Sequence, residues 1–189
     1  MKDVKAAALA AFLAFALAGC SSDLVVAEGT PSDLTEVVQT AMDEIQEAMP
    51  SRAGCLQGVT VTHDRELGRR AEYRPDAGTV VLRVPATAAD LAFSLAHEVA
   101  HHLEVSCPGH EEMRPAFLVA QGFDVEQPWF EGDSWAATPS EQYATAVAQL
   151  VTGHSDRQRR LMISDEALLV VERWAAGDAT GLSPMGSDG

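Results

Sequence analysis

The chain has 189 residues, 47% of them hydrophobic and 22% charged. That suits one domain with a real core and leaves no room for two large ones. Fourteen glycines and nine prolines exclude collagen-like and low-complexity classes. A formal net charge of -15, with no basic patch of useful size, argues against a nucleic-acid partner.

Met1 to Lys5 carries two lysines, residues 6–18 (AAALAAFLAFALA) are all apolar, and Gly19-Cys20 follow. A basic head, a short apolar run and small residues at its end form a secretory signal. The run is too short for an ordinary membrane anchor, which needs about 20 residues. The ending Leu17-Ala18-Gly19-Cys20 resembles the lipobox of bacterial lipoproteins. The resemblance implies removal of residues 1–19, acylation of Cys20 and a lipid anchor on the extracytoplasmic side of a membrane in the cell envelope. With Cys20 so used, Cys55 and Cys107 remain. In an oxidising compartment they are expected to form a disulfide; the alternative is Cys107 as a metal-bound thiolate.

Residues 20–32 read as a lipidated tether. From Ser32 or Asp33 the apolar residues Leu34, Val37, Val38, Ala41, Ile45 and Met49 recur at spacings of three and four, which predicts a helix ended by Pro50. Short β-branched runs predict strands over 58–64, 71–74 and 78–84, the last two joined by a hairpin through Pro75-Asp76-Ala77-Gly78. A long helix is predicted from about Thr87 to Glu104, then others over 111–121, from 139 or 140 to 151, and over 164–176. Residues 123–138 read as a loop anchored by Phe123, Trp129, Phe130 and Trp135. A single domain is expected over 33–177, with a polar tail over 178–189.

The chemical signal is His97-Glu98-Val99-Ala100-His101. Residues i and i+4 share a helical face, so both imidazoles can address one metal ion. Glu98, beside the first ligand, can reach a water on that metal as general base. Flanking Phe93, Leu95, Ala96, Val99 and Leu103 place the motif where a buried site needs it. The ordinary alternative is a satisfied histidine pair without a metal. His102 points elsewhere on the helix.

The motif is similar to that of the zincin metallopeptidases. The long metzincin form needs a glycine and a further ligand where this chain has Glu104 and Cys107. The gluzincin form takes a glutamate from a later helix, and Glu141-Gln142-Tyr143-Ala144 resembles that second motif. The resemblance implies Glu141 as third ligand to one catalytic Zn²⁺; Asp124, Glu126, Glu104 and His110 are the alternatives. It also implies an α+β zincin-like fold in which a small sheet packs on the histidine helix. There the strand before that helix is an edge strand, so Thr79, Val80, Val81 and Leu82 would pair with an extended substrate. Tyr143, His154, His110 and Tyr73 are candidates for stabilising the developing oxyanion or supporting the ligands.

The expected function is zinc-dependent hydrolysis of peptide bonds, endopeptidase before exopeptidase, by a monomeric membrane-tethered lipoprotein. Its partners would be a peptide or protein substrate and, through the N-terminal lipid, a membrane. The rival is a zinc-stabilised binding lipoprotein of weak or lost activity.

Overall fold

The computed structural model describes residues 25–154 and 161–178. The expected signal 1–19, the lipidation site Cys20, and all but Asp178 of the expected tail lie outside them. The elements run β1 (Val25–Val26), α1 (Ser32–Ala48), a 3-10 helix (Pro50–Leu56), β2 (Thr60–Asp64), β3 (Ala71–Arg74), β4 (Thr79–Arg83), α2 (Ala88–Ser106), α3 (His110–Gln121), α4 (Pro139–Thr152) and α5 (Asp165–Ala176). Short 3-10 turns at Pro75–Ala77 and Trp135–Ala137 complete the order. The fold is mixed α+β, with helices packed around one small sheet.

Two strands start later than their residues' β-propensity indicates, for a backbone reason. Gly58 and Gly78 have φ of 81° and 57°, a left-handed conformation that glycine adopts without strain and a strand does not contain. β2 and β4 therefore begin at Thr60 and Thr79. Val25 and Val26, expected as tether, instead add a parallel strand beside β2.

The strand order is β1-β2-β4-β3, with β1, β2 and β4 parallel and β3 antiparallel to β4. This corrects the expected edge. Thr79, Val80, Val81 and Leu82 pair with β2 on one side and β3 on the other, so they have no free ladder for a substrate. Val80, Val81 and Leu82 are all buried, as a strand covered on both faces requires. The edge nearest the histidine helix is β3.

α2 runs through the core: Leu95, Ala96, Val99, Ala100 and Leu103 are buried. Thr87 caps it, accepting from the Asp90 backbone N–H at 3.1 Å and so satisfying one of the free first-turn donors. α2 packs most extensively on α4. Ala96 and Ala100 on one helix and Ala144 and Ala148 on the other are fully buried, and small side chains let two helix axes approach. A disulfide joins Cys55 to Cys107, tying the 3-10 helix to the C-terminal end of α2.

Candidate metal centre

His97 and His101 project from one face of α2, one turn apart, with ring centroids at 5.1 Å and planes nearly perpendicular. Glu141 enters from the first turn of α4, where the helix dipole favours a carboxylate. Its Oε2 lies 3.1 Å from His97 Nε2 and 3.6 Å from His101 Nε2. The three ligand atoms all fall within 4.8 Å of one another, so the group could hold a metal ion. Tetrahedral ligands about 2.0–2.1 Å from a zinc ion stand about 3.3 Å apart. The two separations from Glu141 bracket that value, which is compatible with a metal ion held among the three side chains.

Electrostatics favour positive charge at the same point. Burial disfavours a charged His101, but its hydrogen bonds to Glu104 and Glu141 and the field of Glu98 win, raising its pKa to about 10. Burial also pushes the Glu141 carboxyl up, yet its bonds to His101 and His97 hold it well below the usual carboxylate range. The carboxylates draw a proton onto His101, where a cation would otherwise sit.

Glu104 stands outside the group of His97, His101 and Glu141 and orients one of its members. Its Oε2 accepts from His101 Nδ1 at 2.9 Å and from the Ser140 hydroxyl at 3.0 Å. Its Oε1 accepts from the Trp129 indole at 3.0 Å. The bond fixes the His101 tautomer with its proton on Nδ1, leaving Nε2 to ligate. A spacing of three residues from His101 on one helix face was the signal available in the sequence; Trp129 and Ser140, from distant segments, left none.

Glu98 opens onto the same cleft, a cavity of about 710 Å³ whose lining includes His97, His101, Glu141, Tyr73, Trp135 and Phe130. One carboxylate oxygen, Oε2, accepts the Tyr73 backbone N–H at 2.8 Å. The Trp135 ring stacks on His97 with centroids at 6.0 Å and an interplanar angle of 29°. The loop before α4 thus builds one wall of the site and β3 the other.

Three expected helpers lie elsewhere. Tyr143 is fully buried with its hydroxyl unpaired among the described residues, two positions from Glu141 and so on another face of α4. His110 is buried against it, ring centroids 4.6 Å apart, and its Nδ1 accepts from Arg114 Nε at 3.1 Å. Burial, with Arg114 and Arg52 nearby, lowers the His110 pKa to about 3, so the ring is a neutral core group. His154 follows α4 and lines a different depression, with Glu36 and Val37. None of the three lines the cleft.

Of the other ligand candidates, Cys107 is consumed by the disulfide, which removes the metzincin-like arrangement. Asp124 and Glu126 do not line the cleft; the Asp124 carboxylate accepts the Glu126 backbone N–H within their own loop. His102, lowered in pKa by burial, bonds the Cys55 carbonyl and Tyr73 instead of the cluster. Compared with known proteins, no family model, curated protein or solved structure matches this chain.

Proposed function

We propose that this is a zinc-dependent peptidase of zincin-like fold, carried by a lipoprotein tethered outside the cytoplasm. The observation that carries the reading is the meeting of His97, His101 and Glu141 with Glu98 in one open cleft beside an edge strand. Two imidazoles and a carboxylate are the donors of a catalytic zinc site that keeps a position open, whereas structural zinc sites close all four. Bound there, zinc supplies Lewis acidity toward a carbonyl and acidifies water. Glu98 takes the proton from the attacking water and returns it to the departing amine. Glu104 keeps His101 in the ligating tautomer, and Glu141 offsets the charge of the ion.

The lipid anchor rests on the Leu17–Cys20 segment alone, and the oxidising compartment it implies agrees with the Cys55–Cys107 disulfide. A second reading, zinc-stabilised binding with little turnover, is favoured by one observation: Tyr143, His154 and His110 all lie off the cleft, and Tyr73, which lines it, has its hydroxyl on His102.

Metal analysis combined with peptide-library cleavage separates the two readings. One zinc per chain and cleavage that disappears in Glu98→Gln support the peptidase. Stoichiometric zinc with no Glu98-dependent cleavage defeats it in favour of binding.

A further inference from the structure

Tyr73 is bonded to two successive turns of α2 at once. Its backbone N–H donates to Glu98 Oε2 at 2.8 Å, and its hydroxyl lies 2.9 Å from His102 Nδ1. Glu98 and His102 are four residues apart and share one face of the helix. The other nitrogen of the imidazole, Nε2, donates to the Cys55 carbonyl at 2.9 Å. In a neutral ring that leaves Nδ1 to accept the Tyr73 hydroxyl proton, with the Ser106 hydroxyl a more distant neighbour of the same nitrogen at 3.4 Å. Cys55 is in turn joined covalently to Cys107, the C-cap of α2. The links close a circuit from the end of α2 through Cys55 to His102, and on through Tyr73 to Glu98.

The circuit acts where position is otherwise weakly determined. β3 has four residues and, among the described residues, pairs on one side only, so the ladder alone holds it loosely. Glu98 is a long side chain whose rotamer freedom costs free energy to suppress. With Oε2 held by the Tyr73 amide, Oε1 is the oxygen left to handle a proton.

We infer that Tyr73 and His102 are positioning residues for Glu98: the Tyr73 hydroxyl, seated on His102, sets β3 against α2 and thereby places the carboxylate. The consequence for turnover rests on the peptidase reading; the positioning itself does not. Neither residue belongs to the ligand set.

The test uses Tyr73→Phe, which removes only the hydroxyl, with His102→Gln as the second variant and the two combined. Amide hydrogen exchange is followed by NMR on the full chain, without metal and with zinc. Losing one hydrogen bond of ordinary strength should speed exchange at residue 73 about five- to tenfold. Val61 and Thr62, in β2, which does not pair with β3, should be unaffected. Glu98→Ala should speed exchange at residue 73 as well. On any peptide the wild type cleaves, kcat should fall by about the same factor with KM and zinc content unchanged. The double variant should be no worse than the weaker single one, since both break one circuit.

Unchanged exchange at residue 73 in both single variants overturns the inference. So does faster exchange with unaltered kcat, which would reduce the Tyr73–His102 pair to a structural contact. If the wild type cleaves no peptide, the peptidase reading fails by itself. The exchange result then still decides whether Tyr73 and His102 hold Glu98.

Discussion

Glu104 and His101 face each other across 2.9 Å on the same side of α2, and the glutamate is almost completely buried. A buried carboxylate is costly unless its lone pairs are occupied, and here His101, Ser140 and Trp129 occupy them. Removing such a partner of a metal-bound histidine typically costs 10–100-fold in metal affinity. Glu104→Gln is therefore expected to weaken zinc binding by about one to two orders of magnitude, measured by competition with a chromophoric chelator. Unchanged affinity would mean that His101 needs no such orientation.

Glu141→Ala tests the third ligand. Glu141 is partly exposed at the mouth of the cleft, so its loss should leave the fold intact while zinc content falls below stoichiometry. Circular dichroism and metal analysis on the same sample check both halves. Full zinc in the folded variant would remove Glu141 from the ligand set.

The neutral His110 makes stability depend on pH. Its folded pKa, about 3, lies below the value of about 6.5 expected when unfolded, so the unfolded chain binds more protons between those values. Its contribution is complete above pH 6.5 and is lost as pH falls toward 3, by up to about 1.4 kcal/mol per pH unit. Arg114 and Arg52 face the ring and disfavour its protonation, while the Tyr143, Trp129 and Trp174 rings enclose it. Urea unfolding at a series of pH values should show this slope, and His110→Phe should flatten it.

Cys55 and Cys107 enclose a separation of 52 residues. On the chain-entropy account a cross-link of that span stabilises by about 4 kcal/mol. The Cys55→Ser, Cys107→Ser variant should lose a comparable amount in denaturant unfolding. A loss below about 1 kcal/mol would mean that the reduced unfolded chain is already compact.

Much of the site was legible because its signals are local. The His97–His101 spacing needs only a helix, and the apolar residues around it supply one. Glu141 stands out as an acid at the head of an apolar helix. What was not legible depends on pairing between distant segments. Val25 and Val26 become a strand only because β2 offers them a ladder, and the 3-10 helix at Pro50–Leu56 packs against α5 and α2. The edge strand is instructive. The unbroken run Val80-Val81-Leu82 carries the mark of a strand buried on both faces, while Ala71-Glu72-Tyr73-Arg74 has the polar character of an edge. Composition thus opposed the assignment of the edge to 79–82, which came from family resemblance.

The bond between Glu98 and the Tyr73 amide has a consequence for solubility as well as chemistry. Exposed strand edges are templates for intermolecular pairing. Among the described residues one edge of this sheet, β1, is two residues long, and on the other a carboxylate occupies the Tyr73 amide. The proposed general base therefore also guards the edge against a second copy of the chain. Replacing Glu98 with a residue that cannot accept that bond exposes the amide, so inactive preparations of such variants should contain more self-associated protein than the wild type.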